Sequence, residues 1–276
     1  MHTLVEGRKI ADENIVKMAV FVKDNALSPS FVALTSRPDI PTQQFLRIKE
    51  RVAKKIGISM NMIILQEQIS TAGALMVLHR AQEASDGVVI QLPLPREIDI
   101  EQLLSNLVRI HDPDCIGLTA LSPFSGAEKE VLPPVVSAIR EICKRYGVVL
   151  RGARVVVVGQ GRLVGAPASL WFETQGSVVT RLTRESGSLR DALREADIVV
   201  LGAGVPGLVT PDMLKEGVVI FDAGTSEEGG RVVGDADPAC IEKARLMTPV
   251  PGGIGPVAVA QLFANVLRLQ FDYTEQ

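Results

Sequence analysis

Lys49 lies four residues after Phe45, so the two project from one face of a helix. A lysine moves protons near neutrality only where burial or a neighbouring cation lowers its pKa. Gln91 closes a short apolar run and leads into Leu92-Pro93-Leu94-Pro95, a stiff turn with no backbone donor at either proline. Asp112-Pro113-Asp114 follows one helix later. Near the C-terminus, Pro249-Val250-Pro251-Gly252-Gly253-Ile254-Gly255-Pro256 interleaves proline with glycine. That composition predicts neither helix nor paired strand, but a side-chain-poor wall that a flat ligand approaches closely. Upstream, Gly159-Gln160-Gly161-Arg162-Leu163-Val164-Gly165 reads as a dinucleotide-binding turn. A nucleotide site beside a second planar molecule points to a redox enzyme. His2, His79 and His111 are scattered, and no metal site is expected.

The segment from Val155 to Pro167 reads strand, glycine turn, helix start. Glycines admit a pyrophosphate to the backbone, where amides and the helix dipole meet its charge. The Gly-x-Gly-x-x-x-Gly spacing is one residue off the usual pattern, so a tight turn without ligand stays open as a reading. Two further small-residue strand ends, Gly202-Ala203-Gly204 and Ala223-Gly224-Thr225, favour a ligand, because open α/β sheets bind at such ends. The second strand ends in Arg181-Leu182-Thr183-Arg184, without the acidic residue that usually holds ribose hydroxyls. Basic and hydroxyl groups suit a 2′-phosphate, so NADP is favoured and NAD stays open. The alternative is that Arg181 and Arg184 merely solvate the strand end.

These residues need an α/β scaffold of two domains, which 276 residues suffice to build. Apolar runs alternate with helical-period stretches, as in parallel architecture. In the first half the pattern predicts strands over Phe31–Thr35, Met60–Leu65 and Gly87–Gln91. Helices are predicted over Ala11–Asn25, Thr42–Ile56, Thr71–Ser85 and Ile100–Ile110, with Thr71 as an N-cap and Gly57 as a stop. Lys54 and Lys55 should face solvent. Leu118–Val131 reads as a linker or site loop, followed by a helix over Val135–Tyr146. The second half predicts strands over Arg154–Val158, Ser177–Arg181, Ile198–Leu201, Val218–Phe221 and Arg245–Met247. Its helices are Ala166–Thr174, Leu189–Glu195, Pro211–Lys215 and Val257–Phe271, the last packing back on the first domain. Trp171 and Cys143 read as core.

Composition narrows the class. Hydrophobic residues at 46% and charged residues at 22% fit an ordinary soluble globular chain. A net charge of −3 gives no footprint for nucleic acid. Cys115, Cys143 and Cys240 are widely spaced, which fits a reduced cytoplasmic setting, and the N-terminus does not read as a signal peptide. No membrane partner is expected, since apolar runs fall short of the roughly 20 residues a span needs.

Over almost its whole length the chain resembles the bifunctional methylenetetrahydrofolate dehydrogenase/methenyltetrahydrofolate cyclohydrolase family. The most specific matches are the Pro-Val-Pro-Gly-Gly-Ile-Gly-Pro and Gln-Leu-Pro-Leu-Pro segments, with Gly159, Val164, Gly165 and Pro167 in the nucleotide turn. The resemblance implies a folate-binding catalytic domain over 1–125, completed by a helix over 256–276, and a Rossmann-like NADP domain over 126–255. It implies Lys49 as catalytic lysine, Gln91 as its partner and Asp114 on the pterin edge. Phe45, Leu92, Pro93 and the wall Pro251, Gly252, Gly253, Ile254 and Gly255 would line a folate. Gly159 to Val164, Thr183, Arg184, Gly202, Ala203, Gly204 and Thr225 would face the dinucleotide. A homodimer built through the nucleotide domain is also implied.

Four departures from the family pattern matter. Phe45 replaces a tyrosine and Cys115 a glycine, and Pro133-Pro134-Val135-Val136 stands for Pro-Cys-Thr-Pro. Gly161 replaces a serine, beside Gln160 in place of a frequent arginine. Two other readings therefore remain: a related dehydrogenase of small acids, and a folate- or nucleotide-binding protein without catalysis.

Overall fold

A computed structural model describes residues 2–36, 38, 40–117 and 131–274. The predicted loop at Leu118–Val131 lies outside the described residues except at its last position. The described residues gather into two compact units. One carries 2–11 and 135–258, the other 12–117, 131–134 and 259–274.

The first unit holds a six-stranded parallel sheet in the order β1-β11-β8-β7-β5-β6. Its strands are β1 (Thr3–Leu4), β5 (Arg154–Val158), β6 (Val178–Leu182), β7 (Ile198–Leu201), β8 (Val218–Asp222) and β11 (Ala244–Met247). Apart from Arg154 at the start of β5 and Asp222 at the end of β8, strands β5, β7 and β8 are runs of Val, Ile, Leu and Phe, and all their residues but Arg154 are buried. Such runs suit strands covered on both faces. β5 lies between β6 and β7, so the chain steps from β5 to one side and then to the other. That is the switch point at which open sheets bind ligands. Helix α5 (Pro134–Tyr146) leads in, α6 (Gly165–Thr174) follows β5, and α7 (Leu189–Arg194) follows β6. Trp171 and Cys143 are core residues.

The second unit is built on a three-stranded parallel sheet, β3-β2-β4, from β2 (Ser30–Ser36), β3 (Ser59–Leu65) and β4 (Gly87–Ile90). Helices α1 (Gly7–Asp24), α2 (Ile40–Ile56), α3 (Thr71–Ala84), α4 (Ile100–Ser105) and α8 (Ile254–Phe271) complete the helical set. In this unit Phe263 of α8 meets the Phe31 ring edge-to-face at 5.2 Å, so the C-terminal helix packs on the central strand.

Several expectations need correction. The α3 N-cap is Ser70, whose hydroxyl accepts from the Gly73 N–H, while Thr71 is the first helical residue. The helix predicted to Ile110 ends at Ser105 because buried Gln82 intercepts the backbone. Its amide donates to the Asn106 carbonyl and accepts from the Val108 N–H. Pro211–Met213 is a single 3₁₀ turn, and β6 starts one residue later than predicted. The Pro/Gly wall is partly helical: α8 claims Ile254, Gly255 and Pro256. Proline is tolerated there because first-turn N–H groups have no intrahelical partner. That helix is also long and apolar enough to cross a bilayer by length and composition, contrary to the reading of short runs, but 61% of it is buried inside the protein. It is a core helix.

Two elements were not foreseen. β1 joins β11 through Thr3 opposite Leu246. A hairpin, β9 (Ser226–Glu228) with β10 (Arg231–Val233), turns on Gly229 and Gly230, both at positive φ as a two-residue hairpin demands.

Candidate functional site

In α2 the buried positions Leu46, Lys49, Ala53 and Ile56 recur at steps of three and four. Lys49 therefore occupies a core position of an amphipathic helix and is 3% exposed, while Lys54 and Lys55 face solvent. Its Nζ donates to Gln91 Oε1 at 3.1 Å and sits 4.7 Å from the centre of the Phe45 ring. Burial lowers the Lys49 pKa, and the charge of Asp114 partly restores it. Burial likewise raises the Asp114 carboxyl, with Lys49 pulling it back. Lys49, Gln91, Asp114 and Phe45 are thus brought together within the second unit.

Gln91 is placed by the end of β4, its N–H bonded to the Leu34 carbonyl at 2.8 Å. Leu92 and the exposed Pro93 follow it, joined by a cis peptide bond. Asp114 sits in a loop held from two sides. Buried Asp112 accepts the Ile116 and Gly117 N–H groups at 3.3 and 2.8 Å. Asn265 of α8 donates to the Pro113 and Leu132 carbonyls, both at 2.8 Å. Burial pushes the Asp112 carboxyl up to about 6. Cys115 has φ 54°, the left-handed region where a side chain is strained, which accounts for the glycine of the family pattern. Asn265 was missed in the sequence, where it reads as an ordinary polar residue, and Asp112 was noted only within Asp112-Pro113-Asp114, without a role of its own.

In the first unit, Gly159 ends β5 at φ 84°, and its N–H bonds the Leu182 carbonyl at 2.9 Å. A Cβ on Gly165 would overlap the Gly159 carbonyl, and one on Gly202 would press on Val164. These glycines are required by chain packing alone. Gly161 is different, since a Cβ there would meet nothing within 4 Å. The start of α6 at Val164 has no side-chain cap, but the Val164 and Ala166 N–H groups bond the Gly161 carbonyl and Pro167 has none, so the positive end of the helix dipole, rather than a row of free amides, faces an anion there. The open space at Gly161 and the N-terminal end of α6 fit a dinucleotide pyrophosphate. Gln160 turns back, donating to the Val157 and Gly159 carbonyls and accepting from Ser169. Arg162 is half-buried and Leu163 exposed.

At the end of β6, Arg181 is paired with Glu173 at 2.8 Å, whereas Arg184 is exposed beside Thr183. Thr183 is tied into a turn with Ser186. Ala203 and Gly204 follow β7, and the exposed Thr225 follows β8. In the wall, Pro251 and Gly255 are exposed and Gly252 is partly so. Gly253 and the Ile254 side chain are buried. A Cβ on Gly7 would overlap the Gly253 carbonyl, so the start of α1 abuts the wall.

A parallel sheet with a glycine turn at its switch point, and a second α/β unit with a buried lysine, define a two-domain dinucleotide-dependent enzyme. The tetrahydrofolate dehydrogenase/cyclohydrolase catalytic-domain model matches residues 5–114, and the NAD(P)-binding-domain model of the same family matches 133–273. The chain belongs to this family. It is 30% identical to the bifunctional protein FolD of Exiguobacterium sibiricum over 97% of this chain and 99% of that one. Identity to the bifunctional protein FolD of Lactobacillus acidophilus is 31%, over 98% and 97%. The FolD methylenetetrahydrofolate dehydrogenase/cyclohydrolase structure from Campylobacter jejuni superposes with a TM-score of 0.92 at 26% identity, covering 98% and 99%. A Trypanosoma brucei FolD structure, complexed with NADP cofactor and inhibitor, gives 0.86 at 28% identity, covering 97% of each.

Proposed function

We propose that this chain oxidises 5,10-methylenetetrahydrofolate to 5,10-methenyltetrahydrofolate with NADP and then hydrolyses the product to 10-formyltetrahydrofolate. The observation that carries the reading is the buried Lys49 ammonium site, built from Gln91, Phe45 and Asp114 in a chain of this family. When bound, NADP supplies the acceptor for a hydride from the folate methylene carbon. That step needs alignment and little acid–base help. Phe45, Leu92 and Pro93 would hold the folate, with Asp114 on the pterin edge, and the wall from Pro251 to Gly255 would offer a flat ligand a side-chain-poor face.

Hydrolysis needs a proton acceptor for the water that adds to the methenyl carbon. Lys49, with its pKa lowered by burial, is placed to take that proton, and Gln91 holds its Nζ in place. Gly159 to Val164 would cradle the pyrophosphate, with Thr183 and Arg184 at the ribose phosphate. Gly202, Ala203, Gly204 and Thr225 would lie along the remainder of the dinucleotide. By ligand, 1–125 with 256–276 would form the folate part and 126–255 the NADP part, although β1 adds to the sheet of the nucleotide unit.

The test measures NADPH absorbance on mixing with methylenetetrahydrofolate, and separately the decay of added methenyltetrahydrofolate. Lys49→Met should slow hydrolysis by about 10²–10⁴ while sparing hydride transfer, and Asp114→Ala should lose hydride transfer. Hydrolysis undiminished in Lys49→Met rejects the assignment.

A homodimer through the nucleotide unit is also proposed. β6 is an edge strand there, with Val178 exposed, and a free edge favours pairing. Light scattering should give twice the chain mass. A cytoplasmic setting is supported by three free cysteines, all buried.

A further inference from the structure

The nucleotide sheet ends in two buried carboxylates that the proposed chemistry leaves unused. Asp235 is 0% exposed and Asp222 2%. Each is met by backbone N–H groups. Asp235 Oδ2 accepts from Ala203 and Gly204 at 2.7 and 3.1 Å, and Oδ1 from Val205 at 2.8 Å. Asp222 Oδ1 accepts from Gly224 and Asp235 at 2.9 and 3.3 Å, and Oδ2 from Ala236 at 2.9 Å. Two glycines make the room, because a Cβ on Gly224 would overlap the Asp235 carboxylate and one on Gly234 the Asp222 carboxylate. The Thr248 hydroxyl, just beyond β11, accepts the Asp222 N–H at 2.7 Å. The strand-end loops of β7, β8 and β10 are therefore laced to one another by two side chains.

Successive N–H groups converging on an anion form a nest, the geometry that many proteins use for phosphate. Around Ala203–Val205 that nest is filled from within. We propose that Asp235, braced by Asp222, is a positioning residue for the dinucleotide, holding the β7 loop in shape and withdrawing its donors from any phosphate. The pyrophosphate is then left to the Gly159–Gly165 turn, and the β7 loop suits an uncharged part of the dinucleotide. This inference rests on the NADP dependence proposed above.

Asp235→Asn keeps the shape but sets an amide N–H₂ against backbone donors. The Michaelis constant for NADP should rise about tenfold or more, the effect of losing a charged acceptor. Hydrolysis of added methenyltetrahydrofolate, which uses no dinucleotide, should hold its rate. Gly224→Ala, which crowds Asp235 without touching its charge, should reproduce the split. An unchanged NADP constant, or equal loss of both activities, overturns the proposal. Amide hydrogen exchange on the unmutated, cofactor-free protein gives a second reading that no variant can spoil by misfolding. The Ala203, Gly204 and Val205 amides should be protected, and exchange as fast as that of an exposed loop overturns the clamp. A protein inert in both reactions would count against the assigned function, while hydrogen exchange would still decide the clamp.

Discussion

Phe45 offers Lys49 a ring face and no hydroxyl, so the ammonium is held by quadrupole attraction on that side. The attraction favours the charged lysine. Phe45→Leu should therefore lower the Lys49 pKa further and move the acid limb of the hydrolysis profile down by up to about one unit. An unmoved limb would mean that the ring does not influence the lysine. At Cys115 the positive φ separates backbone strain from side-chain packing. Cys115→Gly should be more stable than Cys115→Ala by about 1 kcal/mol in denaturant melts, because only glycine relaxes at that φ. Lys49 was legible in the sequence through Phe45 four residues before it and through the resemblance that sets Gln91 and Asp114 in matching order. Asp235 and Asp222 were not, since an aspartate in a loop or at a strand end reads as solvated until its backbone partners are known. The one hint is the glycine next to or two residues from each.

Among the elements, the long apolar strands were legible because burial on both faces leaves an unbroken run, as in β5 and β7. β1 and the β9–β10 hairpin were not, because two or three residues carry no periodicity. The start of α8 was hidden by its prolines and glycines, whose composition says loop while their positions permit a first turn. Within α8, Asn265 is 0% exposed and ties down both Pro113 and Leu132. Asn265→Ala would remove a donor from two carbonyls, at a cost of roughly 1–3 kcal/mol. It should also weaken folate binding, because the loop it anchors carries Asp114. Chemical denaturation and the Michaelis constant for methylenetetrahydrofolate would show both effects. A stability loss with unaltered folate affinity would separate Asn265 from the site.

For the molecule as a whole, each unit buries one carboxylate that burial pushes up to about 6, Asp112 in one and Asp222 in the other. An unfolded chain ionises both near 3.8, so between these values the native state binds more protons. Stability from these groups is therefore greatest at acid pH and falls as pH rises through about 6. Asp112→Asn removes one such group. The stability difference should shift in the variant's favour by roughly 2–4 kcal/mol between about pH 4 and pH 7, and thermal melts across that range would test it. Parallel curves would remove Asp112 from the account.

The pairing of β1 with β11 bears on how the chain is made. His2 hydrogen-bonds the Ala244 carbonyl 242 positions away, and Val5 bonds Met247. A ribosome adding about 5–20 residues per second would deliver the mate of β1 only roughly 10–50 seconds after β1 itself. Throughout that interval β1 has no strand to join, and the edge of the nucleotide sheet beside β11 is completed by a segment made long before it.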